Sequence, residues 1–430
     1  MPTDLSCPDI PARRAGGVLA GAVLFPDPPG APVEWRRDAD RFPAPLTPMY
    51  FSTYAALEGE GRRRVAALYA DPALDRPLRR INTYAYVGSV PAAAPEAQAA
   101  RMAGSPVRIA AVLDRLDELW THRWQPELAH HLAVWDGVDL ARASLPALMA
   151  YLDESLRRGA RLWELYFLLE APARLALAAF ARAYAALGGP PDPPAAQRLP
   201  AGGDDKAAET ERALADLGRE ARAAPPVADI LLAGGPDVCA RLDALPAGRV
   251  FLGSLGAFLY TYGRRSPGWD WGYPAWIEDP APVLAALRAE LAAPARDRVA
   301  EHAAQAAKRE RALAAVRERA RHAPAAVAAE FACALPPACA ARRIREDARF
   351  YVALTGMYRV RRVILECGRL LQAAGLLGAA GDVFALTLDE LRATAQARPP
   401  TDLRVLAALR QAEMAHWAAQ IPRPLVESAG

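Results

Sequence analysis

Apolar residues recur every three or four positions along most of this chain, which predicts amphipathic helices. Between Ile109 and Trp120 the apolar positions are Ile109, Val112, Leu113, Leu116, Leu119 and Trp120. Further helices are predicted at Leu145–Leu156, Leu162–Leu187, Lys206–Ala224, Pro282–Leu291, Asp297–His322, Arg342–Leu377 and Asp402–Ala419. The predicted fold class is mainly α, a helical domain with irregular loops rich in proline and aromatic residues.

Clusters of glycine and proline divide the chain. Residues 1–34 are predicted to form an irregular N-terminal extension, and 188–205, with the sequence GGPPDPPAAQRLPAGGDD, a linker or a long surface loop. They delimit a helical lobe 1 (35–187) and a helical lobe 2 (206–430), which we expect to pack as one domain. Lobe 2 also contains an irregular aromatic segment, Tyr260–Trp276, and a strand-like or turn segment, Asp382–Thr387.

The composition narrows the class of partner. Hydrophobic residues make up 53 % of the 430 residues, enough for a sizeable core, and 52 basic residues are interspersed with 49 acidic ones. This balance argues against a nucleic acid or a membrane surface as the main partner. The five cysteines form no Cys-x-x-Cys pair, and no run of about 18 uncharged apolar residues is present. We therefore expect a reduced, cytoplasmic protein that does not span a membrane.

Four segments, in this order, carry a family likeness. They are Trp35–Met49 (WRRDADRFPAPLTPM), Trp120–Trp135 with Arg161–Pro172 (RLWELYFLLEAP), Tyr262–Leu291 (YGRRSPGWDWGYPAWIEDPAPVLAALRAEL) and Arg345–Leu391, which contains DVFALTLDEL. Together they resemble the helical, substrate-binding middle region of rifampicin phosphotransferase and related phosphoenolpyruvate-synthase-like enzymes. Two positions depart from that pattern, because the family usually has histidine at Arg264 and glutamate at Trp269.

The resemblance implies a role in phosphoryl transfer and in natural-product metabolism. Complete enzymes of this family also carry an ATP-grasp region and a swivelling phosphohistidine domain. No Walker-type loop is present here, and none of the six histidines lies in the glycine-rich context of a phosphocarrier. We therefore expect no cofactor in this chain, with ATP and Mg bound by a partner and with ATP-grasp and phosphohistidine-domain proteins as partners.

Arginines on the predicted helix that begins near Arg342 are the first candidate site. At about 100° per residue, Arg342, Arg345, Arg349 and Arg359 fall within a sector of roughly 100° on a helix that is apolar on both sides. Buried arginines need anionic partners, and the guanidinium fork suits a phosphoryl group. The set is either a phosphate-receiving cluster, with Arg345 favoured by the resemblance, or a network of ion pairs with Glu346, Glu366 and their neighbours.

The aromatic segment supplies the second set of candidates. Arg264 and Arg265 follow Tyr262 in a loop where Trp269 and Trp271 either line a substrate pocket or belong to the core. Asp270 is either a base for an acceptor hydroxyl or a turn cap. His130, His131 and the Trp163–Glu170 stretch are weaker candidates, and no His/Asp/Glu spacing predicts a metal site.

The predicted function is the substrate-binding component of a split phosphotransferase system. It would present an apolar, hydroxyl-bearing small molecule to a partner phosphohistidine, and the ester formed could then be eliminated. The alternative is a non-catalytic module that binds or sequesters an apolar small molecule, and the replacements at Arg264 and Trp269 lean that way.

Overall fold

The computed structural model describes residues 34–71, 74–88, 105–189, 199–200, 205–293, 298–397 and 402–427. Helices account for 72 % of these described residues, which confirms the prediction of a mainly α fold. The predicted extension 1–34, except Glu34, and most of the predicted linker 188–205 lie outside the described residues.

Helices of very different length build the molecule. The α-helices are α1 (Pro48–Tyr54), α2 (Glu60–Tyr69), α3 (Ser105–Leu113), α4 (Leu116–Leu119), α5 (Gln125–Asp136), α6 (Leu145–Ala186), α7 (Lys206–Ala223), α8 (Pro225–Ala233), α9 (Val238–Asp243), α10 (Pro246–Tyr262), α11 (Ala281–Ala292), α12 (Arg298–Arg321), α13 (Ala325–Ala348), α14 (Tyr358–Ala373), α15 (Leu388–Ala395) and α16 (Leu403–Ala418). Three π-helical segments, Ala55–Gly59, Trp120–Trp124 and Arg349–Leu354, and a 3₁₀ segment, Ala380–Ala385, join some of them.

A small antiparallel sheet brings distant parts of the chain together. Its strands are β1 (Glu34–Arg37), β2 (Leu78–Ile81), β3 (Tyr84–Gly88) and β4 (Leu425–Glu427), in the order β2-β3-β1-β4. Trp35 pairs with Gly88 on one side and with Val426 on the other. The C-terminal part of the described chain is therefore fixed beside the segment that leads into α1.

Helix α6 is the central element, and it continues through an internal proline. Pro172 has no N–H for the carbonyl of Leu168, and the hydroxyl of Tyr69 donates to that carbonyl at 2.8 Å instead. Helix α2 also lies very close to α6 at Gly61. A Cβ at Gly61 would lie 2.7 Å from the backbone nitrogen of Glu164, so only glycine fits this approach.

The largest core combines residues from both sides of the predicted linker. Leu46 and Trp163 from the first half pack in one cluster with Trp271 and Ile364 from the second half. A second cluster lies within α7 to α11 around Phe251, and a third joins α6, α12 and α13. The division into two lobes stays a prediction, but the buried contacts cross the boundary between them.

The prediction of one continuous helix from Arg342 to Leu377 is wrong. Helix α13 ends at Ala348, the π-helical segment follows, and the chain turns at residues 355–357 before α14 begins. Thr355 donates from both its backbone nitrogen and its hydroxyl to the carbonyl of Phe350, at 2.9 and 2.8 Å. This widened last turn ends the helix, so the sector of arginines predicted for a straight α-helix is interrupted before Arg359.

One smaller difference follows from local hydrogen bonding. The segment Asp382–Thr387, predicted to be strand-like or a turn, lies mainly in the 3₁₀ segment and ends at Thr387, which caps α15. Of the two acidic residues before α11, Asp279 accepts from the nitrogen of Ala281 at 3.0 Å, whereas Glu278 accepts from Nε of Arg361 at 2.8 Å. Within the described part of the chain, none of the helices combines the length and apolar character needed to cross a membrane.

Candidate functional site

The loop between α10 and α11, residues 263–280, carries several of the predicted site residues and is hydrogen-bonded to Thr47, the residue before α1. Thr47 donates to the carboxyl of Asp270 from its backbone nitrogen at 2.7 Å and from its hydroxyl at 2.9 Å. The nitrogen of Gly272 donates to the same carboxyl at 2.7 Å. Asp270 is buried, so this geometry matches the turn cap rather than a base open to a substrate.

A buried arginine that the sequence reasoning missed holds the other side of this loop. Arg361, 4 % exposed, donates from Nε to Glu278 at 2.8 Å and from Nη1 to the carbonyls of Trp271 and Gly272 at 3.1 and 2.8 Å. Its guanidinium also lies over the ring of Phe384, 4.4 Å from the centroid. The loop is thus held at its centre by one side chain from α14.

Trp269 and Trp271 are buried in the core. Trp269 packs against Trp163, Tyr166 and Phe42, and Trp271 against Tyr50 and Phe384. Tyr262 is half-buried at the end of α10, and its hydroxyl donates to Glu209 at 2.8 Å. Of the two readings left open by the sequence, these contacts correspond to core packing.

Arg264 and Arg359 come together at a carboxylate on α5. Nη2 of Arg359 lies 2.6 Å and Nη1 of Arg264 lies 3.1 Å from Oδ2 of Asp136. Burial raises the pKa of Asp136, but the hydrogen bond and charge of Arg359, together with Arg264, outweigh it and hold the pKa below its ordinary value. Arg359 therefore shares a carboxylate with Arg264 and not a cluster with the other arginines of the predicted sector.

Arg265, Arg345 and Arg349 form a separate cluster, which we call the Arg265 group. Burial, followed by the positive charge of Arg349, lowers the pKa of the Arg265 guanidinium to about 10. Within the described part of the chain, no carboxylate lies at ion-pair distance from Arg265; its guanidinium lies over Trp276, 4.3 Å from the ring centroid. An arginine that is partly buried beside a second cation, without a counter-ion, marks a place suited to an anion.

Within the described residues, Arg345 and Arg349 make only long ion-pair contacts. Glu346 lies 3.9 Å from Arg345 and 3.7 Å from Arg349, with no hydrogen bond between them. Glu366, the other acidic partner considered from the sequence, binds Arg369 instead. Arg342 lies on α13, one turn before Arg345, and is half-buried. The ion-pair alternative therefore accounts only weakly for the two arginines of this group on α13 and the π-helical segment.

Tyr166 and Glu170, in the stretch given little weight from the sequence, border the Arg265 group. Burial raises the pKa of the Tyr166 hydroxyl and Glu170 raises it further, whereas the charges of Arg345 and Arg349 act in the opposite direction. Glu170 is half-buried and has no ion-pair partner among the described residues. It is a better placed candidate base than Asp270, and its i, i+4 spacing from Tyr166 on α6 was the signal that could have identified it.

A second buried network was not identified from the sequence. Glu58, in the π-helical segment Ala55–Gly59, is fully buried and accepts from Arg41, Arg62 and the hydroxyl of Tyr50. Arg41 also lies over the ring of Trp269 at 5.0 Å. This network supports the aromatic core beneath the loop.

The burial of Asp270 leads to a prediction about pH. Desolvation raises its pKa from 3.8 to about 6 despite the donors around it. Below pH 3.8, Asp270 is protonated in both the folded and the unfolded protein. Between pH 3.8 and about pH 6, only the unfolded chain loses this proton, so the free energy of unfolding falls as the pH rises. Relative to Asp270→Asn, we expect wild-type unfolding free energy to fall by about 3 kcal/mol at most between pH 4 and pH 7.

Urea unfolding of both proteins across this pH range measures that difference, in which the titration of other groups cancels. A difference that stays constant would show that Thr47 and Gly272 keep the carboxylate ionised throughout.

Among the described residues, no group of three or more His, Cys, Asp or Glu is arranged to hold a metal ion.

Comparison with known proteins supports the family resemblance. Residues 170–346 match the family model described as the rifampicin phosphotransferase fourth domain. A curated relative, chondramide synthase from Chondromyces crocatus, is 34 % identical over 374 residues, which are 86 % of this chain but 10 % of the synthase. The chain thus spans about a tenth of that relative's length. The chain is therefore similar to the middle region of rifampicin phosphotransferase, as its motif segments predicted.

Proposed function

We propose that this chain is the substrate-binding component of a phosphoryl-transfer system. It holds an apolar, hydroxyl-bearing small molecule while the phosphohistidine of a partner protein, charged by an ATP-grasp partner, docks against it. The observation that carries the proposal is Arg265, partly buried beside Arg349 with no carboxylate at ion-pair distance in the described residues.

The chemistry needs fixed positive charge where the phosphoryl group transfers. The equatorial oxygens of that group carry negative charge in the transition state, and guanidinium groups held in place before the reaction stabilise it. Arg265 supplies a charge that is already desolvated, and Arg345 and Arg349 supply two more at the edge of the same cluster. Glu170 is the residue that would accept the proton of the acceptor hydroxyl.

A non-catalytic binding module is the second candidate, and one observation favours it. The family glutamate is replaced by Trp269, which is buried among aromatic rings, and the neighbouring carboxyl of Asp270 is occupied by three donors. A protein with this loop could hold an apolar molecule without transferring a phosphoryl group to it.

Capture of the tagged chain from its native lysate distinguishes the two candidates. We expect mass spectrometry to identify an ATP-grasp protein and a phosphohistidine-domain protein, and added radiolabelled ATP to label a small molecule in the captured material. Recovery of neither protein from a lysate shown to contain both, with no labelled small molecule, would contradict phosphoryl transfer and support the binding module.

A further inference from the structure

Three guanidinium groups converge on one carboxylate at the C-terminal end of α5. Besides Arg359 and Arg264, Arg362 brings its Nη1 to 3.9 Å from Oδ1 of Asp136. Asp136 is the only carboxylate of the described residues within 4.0 Å of any of these arginines. We call these four residues the Asp136 cluster.

The charges of the Asp136 cluster do not balance. Three guanidinium groups and one carboxylate leave two positive charges, and the partial negative charge at the end of α5, about −0.5, offsets only part of this excess. A phosphate monoester at neutral pH carries about −1.5 to −2. The surplus therefore matches one phosphoryl dianion.

Hydrogen-bond donors at the cluster are also unused. Arg362 makes no hydrogen bond within the described residues, although a guanidinium has five N–H donors. Nε of Arg359 and the nearby hydroxyl of Tyr151 are buried without a partner. Buried donors of this kind are uncommon, because an unmade hydrogen bond is costly.

The four side chains of the cluster differ in their exposure to solvent. The side chains of Arg359 and Arg264 are 8 % and 19 % exposed, whereas those of Arg362 and Asp136 are 36 % and 35 % exposed. An oxyanion can thus reach Arg362 and Arg264 from solvent, whereas Arg359 is largely shielded from it. Arg264 and Arg265 are neighbours in the chain, yet they belong to different clusters.

From these observations we infer that the Asp136 cluster is a second oxyanion site, which binds a phosphoryl group through Arg362 and Arg264. The site is separate from the Arg265 group and does not depend on the acceptor proposed there. The phosphoryl group can be free phosphate or part of a phosphate monoester, since both present the same oxygens to the guanidinium groups.

Calorimetric titration of the full chain with inorganic phosphate, at ionic strength fixed with chloride, tests this inference. The titration is made in the Arg265→Gln background, which removes the desolvated arginine of the other cluster. We expect phosphate binding to remain in that background and to weaken about tenfold or more when Arg362→Gln is added. Arg369→Gln is the matched control, because Arg369 is exposed on the same helix and pairs with Glu366.

Phenyl phosphate in a parallel titration separates the two sources of the phosphoryl group. Tighter binding of phenyl phosphate supports an organic monoester, and equal binding supports free phosphate. Loss of all phosphate binding in Arg265→Gln, or equal affinities with and without Arg362→Gln, would overturn the second site. In the wild-type background, Arg362→Gln alone should weaken one phosphate-binding step by a similar factor.

Discussion

Replacing Glu58 by glutamine is expected to lower the free energy of unfolding by about 3–5 kcal/mol. The carboxylate is fully buried and accepts from Arg41 Nη1 at 2.7 Å, from Arg62 Nε and Nη2 at 3.0 and 2.8 Å, and from the Tyr50 hydroxyl at 3.0 Å. A neutral amide keeps the shape but leaves the charge of Arg62 uncompensated beneath the ring of Phe167. Urea unfolding followed by circular dichroism measures the loss.

Glu60→Gln is the matched control for this substitution. Glu60 lies two residues further along and pairs with arginines at i+3 and i+4, but those arginines are 60 % and 48 % exposed. Its replacement is expected to change the free energy of unfolding by about 1 kcal/mol or less. Equal losses for Glu58→Gln and Glu60→Gln would show that burial does not set the strength of the Glu58 network.

Replacing Arg361 by methionine is the second large change, with an expected loss of about 3–5 kcal/mol. The substitution removes the partner of the Glu278 carboxylate and the donors to the carbonyls of Trp271 and Gly272. The loop from residue 263 to residue 280, which carries Arg264 and Arg265, then loses its central contact. Urea unfolding gives the stability change.

Two further variants make the Arg361 prediction specific. Arg369→Met, on the exposed side of α14, is expected to cost about 1 kcal/mol or less. Adding Glu278→Gln to Arg361→Met removes the uncompensated carboxylate, so the double variant should recover part of the loss. If the double variant is no more stable than Arg361→Met, and if Arg361→Met and Arg369→Met lower the free energy of unfolding equally, Arg361 does not hold this loop in place.

Helices with clear caps could be predicted closely from the sequence. The helix predicted at Lys206–Ala224 is observed at Lys206–Ala223, where the carboxyl of Asp205 accepts from the nitrogen of Ala208 at 2.9 Å. The last helix, predicted at Asp402–Ala419, begins after the capping residue Asp402 and ends at Ala418. Both boundaries depend on local signals that the sequence contains.

Features that depend on distant contacts could not be predicted in this way. The strand β1 pairs with β4, nearly the whole chain away, and strands of three or four residues give no readable period. The turn at residues 355–357 was hidden because the apolar pattern continues on both sides of it. The mainly α fold class was therefore predictable, whereas the sheet and the break between α13 and α14 were not.

The same distinction applies to the candidate site. Arg265, Arg345 and Arg349 were all candidates from the sequence, but Arg359 was grouped with Arg342, Arg345 and Arg349 because a straight helix was assumed. The carboxylate that binds Arg264 and Arg359 lies 128 and 223 residues away from them, so its identity could not be read from spacing. Nothing local distinguished Glu58 or Arg361 from exposed neighbours of the same type, because burial is set by packing of the whole domain.

Phosphoryl transfer by material captured with wild-type and Arg265→Gln chains tests the central claim most directly. With radiolabelled ATP, we expect Arg265→Gln to capture the same partners but to label the small molecule about 10²–10³-fold more slowly. Arg142→Gln, at a side chain 93 % exposed, should match wild type. Labelling by Arg265→Gln at the wild-type rate would contradict the assignment of the Arg265 group as the phosphate-receiving site.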